Sequence, residues 1–475
     1  MSYEKMIAGR KYEFSSLKEL LAMANETKSG DALAGIAAHS ESQRIAAKEA
    51  LADVRLRDLR SQPVIPYEQD EVTRFIDDHL DEAIFDQIKA WTVAELREFI
   101  LSAPAPPESL SLLGKEPDSS VNLNSIRFAL TGEMAAAVCK IMSNMDLVLA
   151  ARKLPVRSVA NTTLGGEGVL GARLQPNHPA DSIEGILASM YEGLAFGVGD
   201  AVIGINPAYD TADTVGRLLE SVQKVIDALA VPTQSCVLSH VTTQMKALQS
   251  GAPAGLIFQS IAGSEKGNTA FGINLEMLID AHKLGKTACC NRGKQVMYFE
   301  TGQGSELSSR SHNDADQLTL EARCYAMARH FQPFLVNDVV GFIGPEYLAD
   351  GKQMIRAGLE DHFMGKLLGV PMGVDACYTN HMDADQNDLE NLSILLTAAG
   401  VNYFMGVPMG DDVMLSYQTT SYHDIASLRE LMRLRPAPEF EAWLNEIGLM
   451  SDGKLTETAG DLSVIQALAM SRTTT

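Results

Sequence analysis

Polar side chains of several chemical types stand at the ends of short apolar runs in the later part of this chain. The set combines a cation, two carboxylates, several amides, an imidazole and a hydroxyl: Arg173, Gln175, Asn206, His240, Gln259, Ser260, Glu300 and Asp375. Glu300 and Asp375 can pair with an ammonium group, and Arg173 with Asn206 can hold a hydroxyl. The whole set suits a small, cationic, hydroxyl-bearing ligand better than a phosphate. Any single member, taken alone, fits equally well as a side chain that caps a backbone group.

A metal site is the rival interpretation of the same residues. His240, Glu300 and Asp375 carry groups that bind metal ions, and a barrel can bring them together from separate strands. Neither H-x-H nor H-E-x-x-H occurs on the apolar runs, so the spacing that marks many zinc sites is missing. We expect no bound metal, and a metal-dependent barrel lyase or hydrolase is the second enzyme hypothesis. A non-catalytic component of a metabolic assembly is the third, and it predicts that substitution of Arg173 or Asp375 is tolerated.

The elements that must position these residues follow from the apolar runs themselves. About eight continuous runs occur: 169–175, 201–207, 235–241, 255–261, 295–302, 334–342, 369–377 and 403–410. Runs that are apolar on both faces are typical of parallel strands covered by helices, and amphipathic helical patterns lie between them. Eight strand–helix alternations match the size of a (β/α)8 TIM barrel, roughly 250 residues. A doubly wound open sheet is the alternative fold, which the count of eight disfavours.

The N-terminal part of the chain has a different spacing of apolar residues. Residues 1–130 carry apolar residues at three-to-four spacing and are predicted to be mainly helical. Prolines at 103–113 interrupt this pattern. We therefore predict a helical N-terminal region at 1–130, a barrel catalytic domain at 131–435 and a C-terminal helical extension at 436–475.

Four local motifs resemble known sites without meeting their requirements. DAHKLG (280–285) fits the pattern in which a histidine replaces the lower cobalt ligand of a cobalamin, but His282 closes an amphipathic helix, with Gly285 as its expected stop. GEGVLG (166–171) precedes a strand, whereas a dinucleotide fingerprint follows one. DADQND (383–388) lacks the glycine and glutamate of a calcium loop and is expected to cap a helix. TGQGS (301–305) is a glycine-rich turn whose glycines could admit a ligand close to the backbone or could equally serve only the turn.

The overall composition excludes several classes of partner. A formal net charge of −22 repels phosphate backbones, so nucleic acid is excluded as a partner. The sequence has no apolar stretch long enough to cross a bilayer and begins without the apolar run of a secretory signal. We therefore expect a cytoplasmic protein without membrane contact.

Long motifs, in order over nearly the whole chain, resemble the large subunit of ethanolamine ammonia-lyases. They include GARLQPN, AVIGINP, GAPAGLIFQSIAGSEKG, YFETGQGS, VVGFIGPEYL, CYTNHMDADQN and GDDVMLSYQTTS. The resemblance implies a (β/α)8 barrel that binds adenosylcobalamin at its carboxyl-end rim and deaminates ethanolamine to acetaldehyde and ammonia by a radical mechanism. It further implies a small-subunit partner and homo-oligomerisation within a large hetero-oligomer. Enclosure in a bacterial microcompartment is left open.

The resemblance also assigns residues by motif. The implied catalytic residues are Arg173, Glu300 and Asp375. The implied substrate-binding residues are these three together with Gln175, Asn206 and, as an apolar wall, Phe342. The implied cobalamin contacts are Pro207, Gln259, Ser308 and Met414. His240 receives no role, and the family keeps the cofactor's own base on cobalt, in agreement with the discounting of His282.

Overall fold

The computed structural model describes residues 2–106, 120–291, 293 and 295–473. The N-terminal part contains one hairpin and nine helices among its described residues: β1 (Tyr3–Ile7), β2 (Arg10–Phe14), α1 (Leu17–Ala24), α2 (Ser29–Leu33), α3 (Glu41–Ala52), α4 (Leu56–Ser61), α5 (Glu71–Asp78), α6 (Glu82–Ile88), α7 (Val93–Ser102), α8 (Gly132–Lys140) and α9 (Asn144–Arg152). The predicted mainly helical N-terminal region is confirmed. The hairpin was not predicted; in β2 the exposed Lys11 and Glu13 alternate with the buried Tyr12 and Phe14.

A short hairpin, β3 (Ser158–Val159) and β4 (Thr163–Leu164), precedes eight parallel strands. These are β5 (Gly171–Leu174), β6 (Val202–Ile205), β7 (Ser235–Val237), β8 (Ile257–Ser260), β9 (Met297–Thr301), β10 (Leu335–Gly341), β11 (Met372–Thr379) and β12 (Tyr403–Gly406). The pairing order β7-β6-β5-β12-β11-β10-β9-β8 forms a nearly closed barrel. The predicted TIM barrel is therefore confirmed, and the open doubly wound alternative is wrong.

Helices alternate with these strands around the outside of the barrel. They are α10 (Ile183–Ala195), α11 (Ala212–Leu229), α12 (Val241–Gln249), α13 (Glu265–Ala270), α14 (Leu275–Ala288), α15 (Ser305–Ser308), α16 (Gln317–Ala328), α17 (Gly351–Leu367) and α18 (Gln386–Ala398). The chain ends with β13 (Tyr417–Gln418), α19 (Tyr422–Met432), α20 (Pro438–Glu446), β14 (Met450–Ser451), β15 (Lys454–Leu455) and α21 (Leu462–Thr473). The proposed domain boundaries at 130 and 435 stay predictions.

The barrel closes between β7 and β8, where a glutamine side chain supplements the backbone. The amides of Gly255 and Leu256 donate to the carbonyl of Ser235 at 2.9 and 3.2 Å. Above them, Gln244 of α12 accepts from the Phe258 amide at 2.9 Å and donates to the Phe258 carbonyl at 2.7 Å. The same side chain donates to the carbonyl of Ser239 at the end of β7. Its carboxamide therefore joins the two strands much as a peptide group would.

Local sequence explains where several helices begin and end. Asp385 caps α18 by accepting from the amides of Asn387 and Asp388, which confirms the capping expected of DADQND. Gly285 does not end α14, which continues to Ala288, so that expectation was wrong. Gly285 is instead a close-packing position, because a Cβ there would lie 2.8 Å from the side chain of Val296.

Buried ion pairs join the N-terminal helices to the barrel. Arg323 of α16 donates to Asp70 at 2.7 Å and to Glu133 at 2.6 Å, and all three side chains are nearly inaccessible to solvent. Further buried pairs join the same parts of the chain: Lys28–Glu360 and Lys140–Asp316. Removing one partner of such a pair leaves an uncompensated buried charge. The two parts of the chain are therefore coupled electrostatically as well as through a continuous apolar core.

Across the described residues, no helix combines the length and the apolarity needed to cross a membrane.

Candidate active site

Arg173 lies at the centre of the polar group inside the barrel. It is a β5 residue with 1% exposure, and its guanidinium donates to the Tyr298 hydroxyl at 2.5 Å and to Glu300 at 3.3 Å. It also donates to Gln175 and, at 3.2 Å, to Asn206. Gln175 and Asn206 each come directly after their strand, so the carboxyl ends of β5 and β6 supply both amides.

The charge of Arg173 is maintained by its neighbours. Burial opposes the charge, but Tyr298 and Glu300 outweigh that effect and raise the pKa of Arg173 above its ordinary value. Tyr298 and Glu300 are two residues apart on β9 and therefore face the same side of the sheet. Arg173 thus remains a fixed cation in the barrel interior.

Asp375 of β11 lies in the same interior with two hydroxyl donors. Tyr417 donates to it at 2.8 Å, and Thr419 donates to its other oxygen. Strand β13 pairs antiparallel with the end of β11 and carries Tyr417 to this position. Burial raises the pKa of Asp375 to about 7, although the two hydroxyls and Arg173 favour the ionised form. The carboxyl group can therefore change its protonation state near neutral pH.

Asp412 connects the side-chain amides of Gln175 and Asn177 to the loop before β13. Its Oδ2 accepts from Gln175 at 2.6 Å and from Asn177 at 2.9 Å. Its Oδ1 accepts from the backbone amides of Met414 and Leu415. Through this buried carboxylate, the positions of Gln175 and of the Met414 loop depend on each other.

A cavity of about 370 Å³ opens beside Glu300 at the carboxyl ends of β7 to β10. Its lining includes Gln259, Ser260, Glu300 and Phe342. The Glu300 side chain is 20% exposed and also accepts from Asn337 of β10 at 3.2 Å. Phe342 follows β10 and packs edge-on against Tyr417, with ring centroids 5.3 Å apart. A small molecule in this cavity would meet a carboxylate and an aromatic wall.

The residues assigned to cobalamin by resemblance are spread around the same end of the barrel. Pro207 follows β6 and is half-buried, and Met414 is half-buried in the loop before β13. Gln259 is buried on β8, where its side chain accepts from the Val241 amide at 2.9 Å. Ser308 is exposed at the end of α15.

Large apolar side chains are exposed in the loops of this rim. They have fractional exposures between 38% and 77%: Tyr209, Phe342, Met409 and Val413. These loops follow β6, β10 and β12. Exposed apolar groups gathered around a barrel mouth suit a broad, largely apolar ligand.

The metal interpretation of the rim finds no support in the geometry. His240 caps α12 by accepting from the Thr242 amide at 3.3 Å. Among the described residues, the one group of three possible ligands within 4.8 Å of one another lies elsewhere, at Glu321, Asp338 and Asp361. His240, Glu300 and Asp375 therefore do not form a compact ligand set.

The structure adds members to the site that the sequence analysis did not single out: Asn177, Tyr298, Asn337, Asp412, Tyr417 and Thr419. Asn337 carried a usable signal, because Asn337 and Asp338 interrupt an otherwise apolar run. Tyr298 carried almost none, since an aromatic residue in such a run is usually core. The glycines of TGQGS bring backbone segments together: a Cβ on Gly302 would lie 2.5 Å from the Val339 carbonyl oxygen.

Comparisons with known proteins agree with this architecture. The family model described as ethanolamine ammonia lyase large subunit matches residues 12–458. The ethanolamine ammonia-lyase large subunit of Escherichia coli (strain K12) is 53% identical over 464 residues, covering 98% of this chain and 100% of that protein. The corresponding protein of Salmonella typhimurium (strain LT2) is 52% identical with the same coverage.

A distant likeness to a solved structure is also found. A truncated 3-deoxy-D-arabino-heptulosonate 7-phosphate synthase from Thermotoga maritima aligns with a TM-score of 0.34 and 13% identity, over 58% of this chain and 91% of that one. A similarity at that level supports no argument about function. On the family match and the full-length relatives, the chain belongs to the ethanolamine ammonia-lyase large-subunit family, which consists of lyases.

Proposed function

We propose that this chain is the catalytic subunit of an adenosylcobalamin-dependent enzyme that converts ethanolamine to acetaldehyde and ammonia. The observation that carries the proposal is the buried group around Arg173 of β5, with Glu300 on β9, Asp375 on β11 and an adjacent cavity of about 370 Å³. The names of the relatives specify the substrate and the type of reaction. The cofactor and the radical mechanism rest on the family resemblance.

The rim suits adenosylcobalamin, because exposed apolar side chains surround the mouth where a corrin ring would lie. Pro207, Gln259, Ser308 and Met414 would hold the cofactor. When bound, the cofactor supplies a carbon-centred radical that takes a hydrogen atom from the substrate. The chain itself supplies binding, orientation and electrostatic stabilisation.

Two sets of side chains in this polar group would bind the two ends of the substrate. Glu300, Asp375 and the Gln175 carbonyl oxygen would accept hydrogen bonds from the ammonium group. Arg173 and Asn206 would hold the hydroxyl, and the fixed charge of Arg173 would stabilise negative charge that develops on that oxygen. A preorganised donor of this kind contributes about 3–4 kcal/mol to the transition state. Phe342 would limit the space beside the substrate and exclude water.

A small-subunit partner follows from the name of the relatives, which are large subunits. We propose that the chain homo-oligomerises within a hetero-oligomer that includes this partner, in the cytoplasm, where a bacterial microcompartment would be one site of assembly. The partner would complete the cobalamin site next to the exposed rim.

The test is an activity assay on the complex with the presumed small subunit. The two chains are co-expressed and incubated with ethanolamine and adenosylcobalamin in the dark, and acetaldehyde is measured. Acetaldehyde that forms only with the cofactor supports the proposal. A folded complex that retains no cobalamin and forms no product would overturn it and direct attention to metal analysis.

A further inference from the structure

Three carboxylates converge in the wall of the barrel, behind the candidate active site. They come from three elements: Glu321 of α16, Asp338 of β10 and Asp361 of α17. One oxygen from each lies within 4.8 Å of the others, and all three side chains have no solvent exposure. Asp338 faces outward from the barrel, because its neighbour Asn337 faces inward to Glu300.

Several carboxylate oxygens of this cluster lack a hydrogen-bond partner. Thr301 donates to one oxygen of Glu321 at 2.9 Å, and Gln303 donates to one oxygen of Asp361 at 2.8 Å. The other oxygen of each, and both oxygens of Asp338, are buried without a hydrogen-bond partner. The hydroxyl of Tyr325 is also buried beside the cluster, next to Glu321. Buried polar atoms are rarely left without a hydrogen-bond partner.

The cluster also lacks a compensating cation from the chain. Lys28 and Arg356 instead pair with Glu360, the residue before Asp361, and each approaches it to 2.7 Å. In the described part of the protein, no lysine, arginine or histidine forms an ion pair with Glu321, Asp338 or Asp361. Three ionised carboxylates in one dry site would repel each other strongly without an added positive charge.

We propose that Glu321, Asp338 and Asp361 bind a divalent cation of the calcium type in the barrel wall. The potential ligands are all oxygens, which hard cations prefer to nitrogen or sulfur. With Ca²⁺–oxygen distances of about 2.3–2.6 Å, any two ligand oxygens lie no more than about 5 Å apart, and the three carboxylates meet this limit. Mg²⁺ requires near-octahedral geometry and usually keeps several waters, which a fully buried cluster accommodates poorly.

The cation would hold β9, which carries Glu300, against its neighbour β10. Thr301 and Asp338 are register partners on β9 and β10, as are their neighbours Glu300 and Asn337. Thr301 and Asp338 face outward, where Thr301 contacts the cluster and Asp338 belongs to it. Glu300 and Asn337 face inward and contact each other inside the barrel. The site is thus a structural one, and it stands on the geometry whether or not the proposed reaction is correct.

Shared protons are the alternative way to neutralise the cluster. Burial, followed by repulsion from nearby carboxylates, raises the pKa of all three carboxyl groups, that of Glu321 to about 8. Protons and a cation therefore compete for the same oxygens. A higher pH weakens the competition from protons and therefore favours the cation.

The test measures calcium on the full chain in complex with its presumed small subunit. After treatment with EGTA at pH 8.5, the protein is dialysed against ⁴⁵Ca²⁺ at constant ionic strength, and bound calcium and Tm are recorded. We expect one Ca²⁺ per large subunit and a Tm that rises with calcium concentration. Asp338→Asn and Asp361→Asn should weaken binding by at least about 100-fold, since even outer partners of a metal contribute about 10–100-fold.

Glu390→Gln is the matched control, because Glu390 is an exposed carboxylate on α18. It should bind calcium as the unmodified chain does. Two outcomes overturn the proposal. The first is calcium binding that survives both aspartate substitutions, which would locate the ion elsewhere. The second is no stoichiometric calcium together with a higher Tm for Asp338→Asn, which would show that protons neutralise the cluster.

Discussion

At the scale of single residues, the ionisation of Asp375 decides whether it can pair with an ammonium ion. Burial raises its pKa to about 7, so the carboxylate form becomes dominant only above that pH. We expect kcat/KM for ethanolamine to rise as pH increases through about 7, and Asp375→Asn to lose both this rise and most of the activity. A pH profile of kcat/KM measures the effect; a rise that persists in the variant would assign it to another group.

The same shift has a consequence for stability with the opposite pH dependence. Because the folded-state pKa of Asp375 is raised, its contribution to stability is present in acid and is lost as pH rises through about 7. Asp375→Asn should therefore raise Tm relative to the unmodified chain at pH 8 and change it little at pH 4. A loss of Tm at pH 8 would show that the ionised form is stabilised in the fold.

Glu300 faces the cavity and is expected to act on the substrate rather than on the cofactor. Glu300→Gln keeps the shape of the side chain but removes the charge that would pair with the ammonium group. We expect turnover to fall by about 10²–10³-fold, in the range of other preorganised polar groups, with cobalamin affinity nearly unchanged. Steady-state kinetics and equilibrium cobalamin binding are the measurements. Glu276→Gln, at an exposed position of α14, is the control, and equal losses in both assays would contradict the assigned role.

The residue types at strand ends could be predicted from the sequence, but their partners could not. Arg173, Gln175 and Asn206 stood at recognisable ends of apolar runs and do meet in the barrel. Tyr298 gave no sequence signal, because the hydrogen-bond partner of its hydroxyl is an arginine 125 positions away in the sequence. Tyr417 depends on the antiparallel pairing of β13 with β11, which leaves no periodic trace in so short a strand.

At the scale of elements, the turn after β9 depends on a close approach of two backbones. A Cβ on Gly302 would lie 2.5 Å from the carbonyl oxygen of Val339. Gly302→Ala should force β9 and β10 apart, lower the free energy of unfolding by about 1–3 kcal/mol and reduce activity through the displacement of Glu300. Urea unfolding measures the first effect. Gly166→Ala is the control, because its Cβ would meet Val169 at an ordinary 3.6 Å; an equal loss there would refute the explanation.

Helix α14 bears on whether His282 could bind cobalt. The side chain is half-buried and packs edge-on against Phe331, which precedes β10 at the amino end of the barrel strands. Burial lowers the pKa of His282 to about 4, in keeping with a neutral packed imidazole. We expect His282→Ala to leave cobalamin affinity and activity nearly unchanged. Electron paramagnetic resonance of the bound cobalt checks this, and loss of a nitrogen ligand in the variant would restore the motif interpretation.

The order and number of barrel elements could be predicted because burial on both faces leaves a plain apolar signature. Strand β11 nevertheless extends two residues beyond its run, to Thr379, where β13 supplies a partner. The N-terminal hairpin escaped prediction because β1 and β2 are only five residues each, too short for a strand periodicity to stand out. Sequence periodicity thus describes long elements better than short ones.

At the scale of the whole molecule, Arg323 couples the N-terminal helices to the barrel. Arg323→Met keeps much of the side-chain volume but leaves Asp70 and Glu133 buried without their cation. We expect the free energy of unfolding to fall by about 3–5 kcal/mol, measured by urea denaturation. Lys283→Met is the comparison: this exposed lysine lies 3.4 Å from Asp280, and such pairs contribute at most about 1 kcal/mol. Similar losses in both variants would refute the coupling.

The use of a side chain, Gln244, to supplement the backbone hydrogen bonds between β7 and β8 has an evolutionary consequence. Backbone pairing between strands persists through almost any substitution, since every residue except proline offers the same amide and carbonyl groups. The contacts of Gln244 with Phe258 and Ser239 are made by a side chain, so they depend on the identity of this one residue. A single nucleotide change can loosen the junction of β7 and β8, next to the cavity beside Glu300. Substitution of Gln244 could therefore widen or narrow the opening of the barrel during evolution without changing the other seven strand junctions.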